Sequence, residues 1–149
     1  MPNTLYVYKI SFKKMLSTYS TISELDLDKI SNLDISNSFG YEIDGLYYYY
    51  IITNKIEMKK YINILEKNLI SFDWIDVSEK IIKNEHDLSY INKYLTPGDE
   101  YIFDIFCEDI DKWIYDKLEL DDILDMISLN GIDSLRKIDK KFLKQNYSE

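Results

Sequence analysis

The chain has one histidine, His86, in the stretch "KNEHDL", and one cysteine, Cys107. An imidazole and a thiol are the minimum for a nucleophile and its base. A catalytic cysteine also needs a lowered pKa, and nothing beside Cys107 in the sequence supplies one, so it reads as a small buried hydrophobe. His86 lies between Glu85 and Asp87 and reads as a loop or helix-end histidine rather than a catalytic base. One histidine also excludes sites built from several imidazoles. The Gly-rich phosphate loop, GxSxG, HExxH and CxxC patterns are all absent.

Carboxylates are the remaining source of chemistry, since magnesium and calcium take oxygen ligands. Asp121, Asp122 and Asp125 place two acids on one helical face, and Glu108 or Asp111 can join them. The pair Asn130-Gly131 invites an EF-hand alignment. With Gly131 at loop position six, however, Met126 falls at the first position and Lys137 at the twelfth, so both required acids are missing. A divalent-metal-dependent enzyme built on this cluster is the alternative expectation. The leading one has no catalytic residue and no cofactor.

The acidity itself is local. From Asp99 to Asp133 there are twelve acidic residues and only two lysines, Lys112 and Lys117, a net of −10, so the rest of the chain is close to neutral within the total of −9. Such crowding destabilises a fold unless something offsets it. One offset is internal: a closing basic helix, 134–149, carrying Arg136, Lys137, Lys140, Lys141 and Lys144 against Asp139, docked beside the acidic segment 99–133. The other is external: a basic protein steered in by the complementary field. A direct nucleic-acid ligand is disfavoured, because phosphate binding wants a basic patch.

Composition tempers any reading of single residues. Alanine is absent, and one arginine stands against seventeen lysines with a surplus of Ile, Asn, Asp and Tyr. That usage points to an AT-rich bacterium, phage or virus. The start "MPNTLYVYKISFKK" lacks a signal-peptide pattern, and the longest apolar run, Leu46 to Ile52, is far short of the roughly 20 residues that span a bilayer. No membrane is expected, and the cytoplasm of that bacterium or host cell is the expected compartment.

The elements that must position these groups follow from periodicity. Leu5 to Phe12 alternates as a strand with one wet face or near an edge. Thr21 and Glu24 have capping-box spacing ahead of a short helix. Asp44-Gly45 predicts a tight hairpin turn from Tyr41–Ile43 into "LYYYYIIT". In that strand Leu46, Tyr48, Tyr50 and Ile52 share one face and Tyr47, Tyr49 and Ile51 the other, which predicts a central strand covered on both sides. Were Tyr47 and Tyr49 exposed, they would form an interface patch. Asn54 and Glu57 cap a helix with Met58, Tyr61, Ile62 and Leu65 on one face, and "LISFDWIDV" predicts the next strand. Strand, helix and strand together predict a crossover unit.

The stretch around Pro97-Gly98 fits two readings. Thr96, Pro97 and Asp99-Glu100 suit a helix start, with Ile102, Phe106, Ile110, Trp113 and Ile114 at helical spacing. "EYIFDIF" suits a strand to about Phe106 followed by a helix from Glu108, and this second reading is the expectation. A further helix has Leu120, Ile123, Leu124 and Ile127 inward and ends at Asn130-Gly131. The closing helix places Leu135, Ile138 and Phe142 on one side. The sum is one α+β domain over 1–149: a small mixed or antiparallel sheet of about three to five strands, a crossover helix on one face, and helices dominating the C-terminal third. The functional expectation is a non-enzymatic acidic inhibitor, of the immunity-protein or phage anti-defence type. It would act as a nucleic-acid mimic that masks a basic, nucleic-acid-binding or nuclease partner. The expected contacts are Glu108, Asp109, Asp111, Asp116, Glu119, Asp122 and Asp125, with Tyr47 and Tyr49 as a second patch and Trp113 or Tyr115 as anchor. A self-associating module or homodimer, with the basic helix of one chain on the acidic face of another, is the third reading.

Overall fold

Asp44 and Gly45 adopt positive φ, 51° and 83°, the backbone that a two-residue hairpin turn requires. They join β2 (Ile35–Ile43) to β3 (Leu46–Thr53), paired antiparallel from Ile43↔Leu46 back to Ile35↔Thr53. The structure, a computed structural model, describes residues 4–15 and 22–147. β1 (Tyr6–Phe12) pairs antiparallel with β3 on one side and with β4 (Phe72–Asp76) on the other, giving the order β2-β3-β1-β4.

β1 is therefore interior, not near an edge. Its alternation misled because Lys9 and Ser11 read as a wet face. In the fold the Lys9 ammonium instead lies over the rings of Tyr48 and Tyr50, 5.1 and 5.5 Å from their centroids. β3 and β4 run parallel with β1 between them, so the connection through α2 (Lys55–Lys67) is a split crossover.

α2 forms where its signals placed it. Asn54 Oδ1 accepts from Glu57 N at 2.8 Å, and Met58, Tyr61, Ile62 and Leu65 are buried. α1 (Glu24–Ser31) is capped by Ser23, whose Oγ accepts from Asp26 N at 3.1 Å; the expected cap, Thr21, lies outside the described residues.

Three layers result. α1 and α2 cover one sheet face around Tyr8, Ile10, Phe12 and Ile51. The other face, with Val7, Phe39, Tyr50 and Ile52, is covered by α3 (Ser78–Ile82), a 3-10 turn (Ser89–Tyr94), α4 (Glu100–Lys117), α5 (Leu120–Asn130) and α6 (Lys137–Tyr147). Tyr47 and Tyr49 are half-buried on the first face. Tyr49 packs edge-on to Phe12 at 5.9 Å and lies so close to Gly40 that a Cβ there would stand 2.5 Å from its ring.

α4 corrects the expected strand at 101–106. Six residues of "YIFDIF" fit either period, and the remaining length decides: Phe103, Phe106, Ile110, Trp113 and Ile114 form one buried helical stripe. Ile102, which the helical spacing placed with the inward stripe, is exposed; in α5 Ile123 is buried as expected, while Leu124 is exposed and Met126 is buried in its place.

The only arginine is not a surface charge. Arg136 clamps Asp139 with Nε to Oδ2 at 2.9 Å and Nη2 to Oδ1 at 3.0 Å, and Asp139 is 0% exposed. Nη1 and Nη2 also donate to the carbonyls of Ile81 and Ile82 at 2.5 and 2.6 Å, fastening the start of α6 to the negative end of α3. Removing one partner of a buried pair strands the other, so Arg136→Met is expected to cost about 3–5 kcal/mol in urea denaturation. Arg136→Lys should recover only part of it, since an ammonium cannot form the fork.

Candidate functional site

Because α4 turns Phe103, Phe106 and Ile110 inward, the opposite face is fixed by the 3.6-residue period. Tyr101, Ile102 and Ile105 are exposed, Tyr101 at 74%, and Ile105 lies four residues after Tyr101 and three after Ile102, the spacings that make it a neighbour of both. Asp104, Glu108 and Asp111 run along the same exposed side on successive turns, about 5 Å of helix rise apart. The helix start is set by Thr96 Oγ1, hydrogen-bonded to the Asp99 carboxylate, and by Gly98 N donating to Glu100 Oε2 at 3.0 Å. α5 repeats the combination, exposing Leu124 and Leu129, with Ile132 just beyond it, among Asp121, Asp125 and Asp133.

The sequence-predicted acids divide by role. Glu108, Asp111 and Asp116 line one wall of a 610 Å³ groove whose other wall is Lys137, Ile138 and Lys141 of α6. The internal offset expected from the basic helix is thus realised along the C-terminal half of α4. Partial burial of its carboxyl in the groove, reinforced by Asp139 and Glu108 against the pull of Arg136, raises Asp111 above its ordinary value although the residue is exposed. Asp109 points the other way, accepting from Asn37 Nδ2 of β2 at 2.5 Å. Glu119 and Asp122 form a capping box at the start of α5, with Glu119 N donating to Asp122 Oδ2 at 3.0 Å. Asp125 is exposed. Among the described residues, the ion pairs Lys29–Asp26, Lys67–Asp26, Lys60–Glu57 and Arg136–Asp139 draw on no carboxylate between 99 and 133.

Of the expected anchors, Trp113 is core and donates Nε1 to the carbonyl of Leu5 at 2.9 Å. Tyr115 packs edge-on to Phe142 and donates to Gln145 Oε1 at 2.5 Å. On α4 the exposed aromatic is Tyr101, at 74%. Sequence reasoning missed it through the strand assignment, although placing Phe103, Phe106 and Ile110 on one helical face would have turned it outward.

A second cluster was also missed. Under the 3-10 turn, Tyr41 and Tyr90 share a hydrogen bond of 2.8 Å, Tyr50 lies 3.4 Å from Tyr90, and Lys9 Nζ donates to Tyr90 at 3.3 Å. Tyr50, itself 0% exposed, is hydrogen-bonded to His86 Nε2. His86 is therefore a loop residue whose ring turns inward. Burial first, and then Lys9 and Lys80, lower its pKa. Burial opposes ionisation of Tyr90, but hydrogen bonds from Tyr41, Tyr50 and Lys9 bring its pKa below the ordinary value, while Tyr41 and Tyr50 are raised chiefly by burial.

His86 and Cys107 do line one 140 Å³ cavity, with Asp111 and Arg136. The thiol is nonetheless pushed up to about 11 by burial, Asp111 and Asp104, the opposite of nucleophile activation. Among the described residues, no group of three or more His, Cys, Asp or Glu side chains is placed to hold a metal, and no helix is long and apolar enough to cross a membrane. Comparison with protein-family models, curated proteins and solved structures finds no match to this chain.

The lone histidine permits a clean pH test. With its folded pKa below the unfolded value of about 6.5, the native state binds fewer protons than the unfolded one between those values, so stability falls as pH drops through that window and levels off below the folded pKa. Melting curves from pH 7.5 to 5 should show this loss in wild type, and His86→Gln should flatten it. Cys107 should label at pH 8 far more slowly than free cysteine, with about a thousandth of the thiol ionised, and rapidly once urea unfolds the chain.

Proposed function

We propose that the protein works by binding, as a non-enzymatic inhibitor that covers the cationic surface of a basic nucleic-acid-binding or nuclease protein. The observation that carries the reading is the outward face of α4, where Tyr101, Ile102 and Ile105 adjoin Asp104 and Glu108. A merely solvated acidic helix has no reason to hold three large apolar side chains in water side by side. Interfaces combine such a core with a charged rim.

The division of labour follows from the chemistry of each group. Tyr101 supplies contact area with few rotamers to freeze. Asp104, Glu108, Asp111, Asp116 and Asp125 steer a basic partner and pair with its lysines and arginines. Asp109, Glu119 and Asp122 hold α4 and α5 in shape, so they contribute to the surface indirectly. Small acidic proteins of the immunity and phage anti-defence kind share this size and charge, and the likeness is one of charge and size alone.

The test is a low-salt pull-down from host lysate, followed by titration of the recovered protein. Asp104→Asn with Glu108→Gln should slow association and weaken its salt dependence, and Tyr101→Ala should lower affinity by roughly ten-fold or more. Glu119→Ala, which removes the capping acceptor, should lower melting temperature with affinity intact. Equal recovery by wild type and the folded charge-neutralised and Tyr101 variants would reject the reading.

A further inference from the structure

The two edges of the sheet are finished differently. At β2, α4 and the 3-10 turn pack against the strand, and an irregularity between Ile35 and Asn37 breaks its register. β4 is bare: Asp73 to Asp76 are all exposed, with Trp74 at 46% and Ile75 at 48% on opposite faces. Val77 N donates to the carbonyl of Val7 at 2.9 Å, which sets the phase of the ladder to β1. Antiparallel alternation then directs the backbone groups of Asp73 and Ile75 to β1 and those of Phe72, Trp74 and Asp76 outward. An open row of donors and acceptors on a strand with exposed apolar residues is a template for another strand.

We propose that β4 pairs with β4 of a second copy, antiparallel about a two-fold axis at Trp74, to make one continuous eight-stranded sheet. The register is self-complementary. With Trp74 opposite its counterpart, Phe72 meets Asp76 of the second copy and Asp76 meets its Phe72, so all three outward residues on each strand find partners. Asp73 then faces Ile75 of the second copy, and no acid faces an acid. Sliding two residues one way sets Asp73 against Asp73, and sliding the other way loses an outward pair.

Charge favours the same edge. α4, which carries six of the twelve acids of the 99–133 segment, packs against β2 at the far side of the sheet. Beside β4, Lys55 and Lys59 share a 360 Å³ groove with Asp76, over a floor of Tyr8, Met58, Ile62 and Trp74. Two lysines against Asp73 and Asp76 leave this edge near neutral, so copies of a strongly acidic chain meet here with little repulsion, and the groove gives the incoming strand apolar surface to cover. The arrangement is isologous and closed, and it leaves both α4 faces free. It stands independently of the proposed function, which uses the opposite edge.

The experiment is mass by light scattering or sedimentation over two orders of magnitude in concentration, with the fold checked by circular dichroism. Wild type should reach the mass of two chains. Ile75→Asp puts an acid opposite Asp73 of the second copy at both ends of the pairing and should weaken the dimer roughly ten-fold. Adding Asp73→Lys should restore it. In wild type, the amides of Phe72, Trp74 and Asp76 should exchange more slowly with deuterium as concentration rises. A wild-type chain monomeric throughout, an Ile75→Asp dimer of unchanged strength, or these amides still exchanging freely at a concentration where the mass is dimeric would overturn the proposal. Protection of those amides only by a protein from the lysate would overturn it too, in favour of a foreign strand.

Discussion

β3 is apolar on both faces, and that constraint organises the molecule. Tyr50 and Ile52 on one side and Ile51 on the other are each buried, so neither face of the sheet can be left to water. α1 and α2 suffice for one face. The other takes everything after β4, and α4 must turn its aromatic stripe down onto Phe39 and Tyr50, with Phe103 and Phe106 in ring contact with Phe39. Once that stripe is committed, the period of the helix decides which residues meet solvent. The acidic and apolar outer face of α4 is thus a consequence of what the sheet demands on the inside.

Burying tyrosines at the centre creates a second requirement, because a phenol in the core must find a partner for its hydroxyl. Tyr41, Tyr50 and Tyr90 satisfy one another, with His86 and Lys9 closing the network at its ends. Lys9 does double work in the physical sense: its ammonium donates to Tyr90 while sitting over the rings of Tyr48 and Tyr50. Burial first, and then this cation and Lys80, lower the basicity of His86 beside Tyr50. Arg136 performs the comparable service at the other end of the helical layer, where the buried Asp139 and the last carbonyls of α3 converge on one guanidinium.

What could be read from the sequence was what depends on near neighbours. The Asn54 cap, the stripe of α2, the Asp44-Gly45 turn and the two-faced tyrosine strand all follow from spacings within a dozen residues. α4 failed because the local signals conflict. Pro97-Gly98 announces a turn, aromatic and β-branched residues suit a strand, and only the later phase of Ile110, Trp113 and Ile114 resolves the period. The candidate site was legible as a charge excess and not as a surface. Asp109 reaches Asn37 across seventy-two positions, and Tyr50 meets His86 across thirty-six. No periodicity encodes such pairings, so the acids that brace the fold could not be separated from those that face water.

The segregation of charge then has a physical logic. Carboxylates along the C-terminal half of α4 face Lys137 and Lys141 across the groove, so their repulsion is partly met from within. Along the N-terminal half, Glu100 and Asp104 sit beside Tyr101, Ile102 and Ile105, away from those lysines. An uncompensated field beside an apolar strip is unfavourable to the isolated chain on both counts, and a cationic partner with an apolar contact relieves both together. Placing that burden at the β2 side, where α4 packs against the strand, leaves β4 as an exposed edge whose two aspartates are balanced by Lys55 and Lys59. The two unfinished surfaces of the molecule therefore differ in kind: one is electrostatic and displayed on a helix, the other is backbone and displayed on a sheet.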